Sequence, residues 1–147
     1  MSSVLNLKAY HALLMAGFQN LPAFLDKKVD GKEARARYRF YRDHLNPTVK
    51  QLEDDRLKML LELSDKDGDK PKKNEDGSFV LSDENLATFR KQYDEMLNED
   101  WNVDVTESNK PDLKVIQAII EDCDHVEPGL HEKAYNEILD ELEEKLA

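Results

Sequence analysis

Hydrophobic residues recur at helical spacing near the start of this 147-residue chain, over residues 4–18. The apolar positions are Leu7, Tyr10, Leu13, Leu14 and Phe18. This spacing predicts a short amphipathic helix that ends between Gly17 and Asn20. The connection that follows contains Pro22 and the turn signal DG at residues 30–31, and we expect Phe24 and Leu25 to be buried there.

The longest periodic stretch covers residues 32–63, with Pro47 in its middle. Its apolar positions are Ala34, Tyr38, Tyr41, Leu45, Val49, Leu52, Met59 and Leu63. One interpretation is a single helix that bends at the proline, and the alternative is a new helix with Asn46 as its N-cap and Pro47 at its first position. The apolar phase continues beyond the proline, which favours one kinked helix.

Charged residues, glycine and proline fill Ser64–Gly77 almost completely, which predicts an exposed loop. The letters SFVLS then indicate a short strand with Phe79 and Leu81 on one side. Either Ser82 or Asp83 is a suitable cap for the next helix. The predicted buried stripe of that helix is Leu86, Phe89, Tyr93, Met96 and Leu97.

The letters DWNVDVT alternate between apolar and polar residues, which predicts a strand over residues 101–105 with one solvated face. We expect this strand to pair with the strand at residues 79–81, because an isolated strand is unstable. Two apolar helices follow, the first opening at Pro111 and the second at about Leu130. Their predicted core positions are Leu113, Ile116, Ile119 and Ile120, then Ala134, Ile138, Leu142 and Leu146.

These elements predict a mainly helical α+β fold, with one long kinked helix and a minor two-stranded sheet. A chain of this length suits a single domain, here residues 1–147, with the exposed charged loop at about 64–77. Cys123 is the lone cysteine, so no internal disulfide forms, and a reducing cytoplasm is the expected compartment. We find no basic segment that leads into an apolar signal region, and no apolar run approaches the ~20 residues that span a bilayer.

Charge divides the chain into a basic first third and an acidic remainder. Up to Lys50 there are nine Lys and Arg against four Asp and Glu, a net charge of +5, whereas the residues from Gln51 onward carry −16. Such an asymmetry is typical of a protein that docks onto another molecule.

Three arginines of the basic third, Arg35, Arg39 and Arg42, form one stripe at positions i, i+4 and i+7 of the long helix. They lie beside Tyr38 and Tyr41, and arginines among aromatic rings are able to bind phosphates or stack on bases. The alternative is that they pair with carboxylates of the acidic remainder or of a second copy. The whole chain carries −11, which disfavours nucleic acid and favours contacts between proteins.

The acidic remainder offers the opposite hypothesis, a mimic of DNA phosphates that inhibits a host nucleic-acid-binding or defence enzyme. Glu53, Asp54 and Asp55, together with the letters DELEE of the last helix, are the candidates for such a row. Charge runs on helices are more often solvated faces, and we therefore keep this as an alternative.

A calcium loop is the second alternative, because Asp65, Asp67 and Asp69 occupy its first, third and fifth places. The sixth place, which needs glycine, is Lys70, and Asp76 stands where a bidentate glutamate is expected. These departures favour a solvated acidic loop.

Zinc ligands are conceivable at Cys123, His125 and His131, but their spacing matches no zinc motif. We therefore expect a half-buried cysteine, two surface imidazoles and no cofactor. No phosphate loop, dinucleotide motif or nucleophile elbow occurs, and so we expect a protein that is not an enzyme.

Three segments carry a resemblance to a known family. They are GKEARAR at Gly31–Arg37, EDGSFVL at Glu75–Leu81 and MLNEDWNVDV at Met96–Val105. From about Leu5 to its end, the chain resembles an uncharacterised family of short acidic proteins encoded by phages and prophages of Gram-positive bacteria. Pro47 and the letters DKDGDKPKK depart from the continuous helix of that family.

The resemblance implies expression in the bacterial host cytoplasm, with a place in the virion as an alternative. We expect a phage protein that acts in assembly, or as a tail-associated factor, by binding a phage or host protein or a second copy of itself. The expected contact residues are Arg35, Arg39, Arg42, Glu53, Asp54 and Asp55.

Overall fold

The computed structural model describes residues 3–18 and 21–147, and over these residues the fold is mainly helical with little sheet, as predicted. The elements in chain order are β1 (Ser3–Lys8), α1 (Ala9–Ala16), α2 (Gly31–Phe40), a π-helical turn (Tyr41–Leu45), α3 (Asn46–Leu63), β2 (Lys66–Asp67), β3 (Lys70–Pro71), α4 (Asp83–Leu97), β4 (Asp100–Val105), α5 (Lys110–Glu121) and α6 (Leu130–Leu146). No helix within these two ranges is long and apolar enough to cross a membrane.

The chain divides into two compact units, where the sequence predicted one domain over residues 1–147. Met1–Val49 and Asp100–Ala147 form the first, which we call the terminal unit because it contains both ends of the chain. Lys50–Glu99 form the second, which we call the inserted unit.

The sheet of the terminal unit pairs β1 with β4 in antiparallel register, so that Leu5 lies opposite Val103 and Leu7 opposite Trp101. The prediction of a helix from residue 4 was therefore wrong for the first half of that segment. Leu5 and Leu7 are buried on the same face of β1, and Leu7 coincides with the helical spacing of the residues after it. The predicted helix end at Gly17 is confirmed, and Asn20 lies outside the described residues.

The predicted pairing of residues 79–81 with β4 was wrong, because β4 pairs with β1 instead. Phe79 makes only an isolated bridge with Lys73. The strand β4 was correctly predicted, since Trp101, Val103 and Val105 are buried while the residues between them are exposed.

One helical run continues from Gly31 to Leu63, which confirms the prediction of a single kinked helix. Asn46 has helical angles, φ −59° and ψ −44°, and is not an N-cap. Its amide donates to the carbonyl of Tyr41, five residues back, which is the hydrogen bond of a π turn. Because Pro47 has no amide proton and its ring crowds the preceding turn, a widened turn just before it accommodates the proline.

The π turn also changes which face of the long helix is buried. Phe40 and Leu45 are both buried and lie five residues apart, whereas the predicted face assumed uniform α-helical spacing. Tyr38, predicted to be buried, is 52 % exposed.

The two C-terminal helices carry the predicted apolar stripes, and all eight predicted positions of α5 and α6 are buried. Phe24 and Leu25 are buried as predicted. The core cluster of the terminal unit comprises Leu5, Leu7, Ala12, Leu14, Met15, Phe24, Leu25, Phe40, Leu45, Trp101, Val103, Val105, Leu113, Ile116, Ile119, Ile120, Ala134, Ile138, Leu142 and Leu146.

The inserted unit contains most of α3, the small β2–β3 hairpin and α4. Ser82, one of the two predicted candidates, caps α4 by accepting a hydrogen bond of 3.1 Å from the amide of Asn85, and Asp83 is the first residue of the helix. The predicted exposed loop at 64–77 is confirmed for most of its length, and the hairpin lies within it. The predicted buried stripe of α4 is wrong in extent, because only Met96 is buried and the other four positions are half-buried.

Candidate functional site

The predicted arginine stripe separates into two environments. Arg39 forms a bidentate ion pair with Asp112 of α5, with Nε 2.6 Å from Oδ2 and Nη2 2.7 Å from Oδ1. Hydrogen bonds from Arg39 lower the pKa of the Asp112 carboxyl below its usual range. The alternative that the arginines pair with the acidic remainder thus holds for Arg39, which fastens α2 to α5.

Arg35 and Arg42 flank the exposed ring of Tyr38. Their guanidinium carbons lie 5.2 Å and 5.7 Å from its ring centroid, within the range of cation–π contacts. We call these three residues the arginine–tyrosine surface. The two arginines hold the phenol ring in place on an open helix face, although 52 % of that tyrosine is accessible to solvent.

The charge of this surface is only partly compensated. Arg42 donates to both carboxylate oxygens of Asp43, at 2.7 Å and 3.0 Å, and these hydrogen bonds lower the pKa of Asp43. Within the described ranges, no carboxylate lies within ion-pair distance of Arg35. Arg35 also borders an open groove of about 510 Å³ between α2 and α5, where Lys32 lies beside it.

Two local interactions orient α2 and with it this surface. Asp30 caps the helix by accepting a hydrogen bond of 3.0 Å from the amide of Glu33. Arg37 donates from Nη1 to the carbonyls of Leu25 and Lys27, at 2.7 Å and 2.6 Å, and so ties the preceding connection to the helix. The sequence analysis did not identify the role of Arg37.

The acidic candidates do not form one row. Successive residues of a helix point about 100° apart, so Glu53, Asp54 and Asp55 face three directions. Glu53 pairs with Arg56 at 3.3 Å, and Asp55 accepts a hydrogen bond of 2.9 Å from Gln51. Two of the three are therefore engaged along their own helix.

The acidic letters DELEE in α6 also divide between solvent and structure. Glu141 accepts a hydrogen bond from the amide of Asn6, and it lies 3.7 Å from Lys145. Lys145 in turn donates to the carbonyl of Val4 at 3.1 Å. Glu141 and Lys145 therefore form hydrogen bonds with backbone groups of β1, and these bonds protect the edge of the strand.

Metal candidates are dispersed. Asp65, Asp67 and Asp69 are exposed around the β2–β3 hairpin. Across residues 3–18 and 21–147, no group of three or more His, Cys, Asp or Glu is placed to hold a metal ion. Cys123 is half-buried, as expected.

His131 was wrongly predicted to be a surface imidazole, because it is buried against Phe24 with ring centroids 4.4 Å apart. Its Nδ1 accepts a hydrogen bond of 2.8 Å from the amide of Glu127, and Nε2 lies 3.0 Å from the carbonyl of Pro22. An amide only donates and a carbonyl only accepts, so the ring is neutral with its proton on Nε2. Both ring nitrogens therefore serve the fold.

A second buried histidine, which the sequence analysis missed, lies between β1 and α6. His11 Nδ1 accepts a hydrogen bond of 2.9 Å from the amide of Lys8, while Nε2 faces Glu137 at 3.7 Å without a hydrogen bond. Tyr10 donates to the same glutamate at 3.0 Å. Burial lowers the pKa of His11, and burial together with Glu137 raises the pKa of Tyr10 to about 12. The imidazole therefore stays neutral and holds the end of β1.

Comparisons with protein-family models, with curated proteins and with solved structures find no match for this chain. The arginine–tyrosine surface is thus the candidate site on the strength of its own geometry.

Proposed function

We propose that this protein is a non-enzymatic interaction module whose arginine–tyrosine surface binds an acidic patch on a partner protein. The observation that carries the proposal is the exposed Tyr38 ring held between Arg35 and Arg42. Tyrosine and arginine are enriched among the residues that dominate binding energy at protein interfaces. A tyrosine fixed in advance by its neighbours loses little conformational entropy on binding.

The charges favour a protein partner over nucleic acid. The chain carries −11 overall, and the carboxylates of Asp43 and Asp112 lie beside the arginines. A polyanion would meet these negative charges along any extended contact, whereas a compact acidic patch can engage Arg35 and Tyr38 alone.

The resemblance to phage and prophage proteins indicates the setting. We propose that the partner is a phage assembly or tail protein, or a host protein, met in the bacterial cytoplasm or in the virion. The contact then acts by positioning that partner.

A capture experiment from lysogenic cells tests the proposal. Tagged wild-type protein and the Tyr38→Ala and Leu130→Ala variants serve as baits, and mass spectrometry identifies the retained proteins. Leu130 is the matched control, because it is a large apolar residue that is 63 % exposed on a different helix of the same unit.

The expected result is a partner with an acidic surface that wild type and Leu130→Ala retain, that Tyr38→Ala loses, and that added salt releases. Equal retention by all three baits would contradict the proposal. Circular dichroism of each bait checks that the variants are folded.

A further inference from the structure

A second surface, in the inserted unit, is opposite in charge to the first. An open groove of about 380 Å³ runs between α3 and α4. Met59 and Met96 supply its apolar side chains, and Met96 is 4 % exposed. The polar lining consists of Asp55, Lys58, Glu62, Gln92, Glu95 and Glu99.

We propose that this groove receives the arginine–tyrosine surface of a second copy of the chain. The inference rests on the proposed function, since it names the partner of that same surface. It goes further by assigning a second site and a mode of self-assembly.

Charge is the first argument for this occupant. Four carboxylates and a single lysine line the groove, so its lining carries −3. Arg35 is without an ion pair to any described residue and provides the matching positive charge. Opposite charges attract, and the attraction strengthens when docking excludes water from between them.

Length is the second argument. Arg35 and Arg42 are seven residues apart, which is about 10 Å along a helix axis. The groove is lined by residues 55–62 on one side and 92–99 on the other, and the ends of each segment are also seven positions apart. The arginine–tyrosine surface, which we call the ridge in describing this contact, therefore matches both walls of the groove in length.

The apolar contact is the third argument. Tyr38 projects between the two arginines, at the middle of the ridge, and the methionines lie at the middle of the groove wall segments. Thioether sulfur makes favourable contacts with aromatic rings, and the flexible methionine side chain adapts to a ring that enters.

The mode of assembly follows from the use of two different surfaces. Each copy carries both a ridge and a groove, so every contact joins the ridge of one copy to the groove of another. Two copies that dock both surfaces on each other form a closed dimer, and copies that dock them on different neighbours form rings or chains. In each case the average size grows with concentration.

Sedimentation velocity of the purified protein tests the inference, with wild type compared with Tyr38→Ala, Glu95→Lys and Asp94→Lys. Asp94 is the matched control for Glu95, because it is the adjacent exposed carboxylate of α4 and does not line the groove. We expect wild type and Asp94→Lys to associate as concentration rises, and high salt to reverse this association. Tyr38→Ala and Glu95→Lys each weaken the association constant by about thirtyfold or more.

A mixture gives the sharper result. Tyr38→Ala keeps an intact groove and Glu95→Lys keeps an intact ridge, so together they form one native contact. We expect the two variants to remain single chains when alone and to form a complex of two chains, no larger, when mixed.

Three outcomes would overturn the inference: wild type that stays a single chain at all concentrations, association that survives Tyr38→Ala, or a mixture that does not associate. Each of these outcomes differs from a failure of the proposed function, which the capture experiment tests separately. A monomeric wild type that captures a foreign protein through Tyr38 would keep the function and reject self-docking.

Discussion

The terminal unit and the inserted unit differ in how much apolar side chain they bury. The core cluster of twenty residues lies entirely in the terminal unit, and most of its members belong to β1, β4, α5 and α6. In the inserted unit only Leu52 and Met96 are buried apolar residues. Two leucines of that unit, Leu57 and Leu61, are exposed on α3.

This difference indicates where the folding free energy resides. Burial of apolar surface is the dominant favourable contribution to folding, and segments with few buried contacts open at lower free energy than the global transition. The terminal unit therefore holds most of the stability. The conformation of the inserted unit depends more on hydrogen bonds, helix caps and charge. Because its core is small, more of its side chains are accessible to a partner.

The largest expected effect is from a cavity in the terminal core. Ile138 is fully buried, so Ile138→Ala is expected to lower the free energy of unfolding by about 2–5 kcal/mol. Met96→Ala removes a side chain of comparable size from the inserted unit, where the loss is expected to be clearly smaller. Chemical denaturation followed by circular dichroism measures both, and equal losses would contradict the distinction between the units.

Hydrogen exchange tests the same distinction without a substitution. Amides in the middle of α4 are expected to exchange faster than amides in the middle of α5 and α6, because α4 has a single buried side chain. Mass spectrometry of proteolytic fragments provides the rates. Uniform protection across these helices would show that the chain opens as one cooperative body.

A smaller effect is expected from the ion pair that joins α2 to α5. The pKa of Asp112 is lowered in the folded state, so its contribution to stability is present above the ordinary carboxyl pKa of about 3.9 and is lost as pH falls through the folded value. Asp112→Asn is expected to lower the melting temperature at pH 7, with the difference from wild type closing below about pH 4. A constant difference at every pH would contradict this account.

The smallest effects are expected at two histidines, whose contributions to stability change in opposite directions with pH. Burial lowers the pKa of His11, so its contribution to the free energy of unfolding is present above about pH 6.5 and is lost as pH falls. Hydrogen bonding to the carbonyl of Ala23 and to Asp124 raises the pKa of His125, so its contribution is present below that pH and is lost as pH rises.

Melting temperatures of His11→Gln and His125→Gln between pH 5 and pH 8 measure these contributions. The first variant is expected to differ most from wild type at pH 8, and the second at pH 5. Parallel pH profiles for the two variants would contradict the opposite assignments.

The sequence predicted elements whose burial follows from local spacing. The stripes of α5 and α6 and the alternation of β4 were correct, because each is a regular element with one face against the core. The partner of β4 was not predictable, since the pairing with β1 joins residues about a hundred positions apart. The π turn before Pro47 was also missed, and its one-residue phase shift explains why Tyr38 was assigned to the buried face.

The candidate site was predictable in part. The spacing placed three arginines on one stripe, but it does not reveal which of them pairs with a carboxylate of α5. Asp112 selects Arg39 and leaves Arg35 and Arg42 on either side of Tyr38. The burial of His11 and His131 was missed for a related reason, because each imidazole has its Nε2 beside a distant segment, at Glu137 and Pro22 respectively.

Site-specific photocrosslinking tests the central claim most directly. A photoreactive phenylalanine analogue replaces Tyr38 in one bait and Leu130 in another, and both are irradiated in lysogenic cells. Both positions are exposed, so collision alone labels them alike. We predict a discrete crosslinked product at position 38, formed with an acidic surface of a partner or a second copy, and none of it at position 130. The same products at both positions, or none at position 38, would contradict the account.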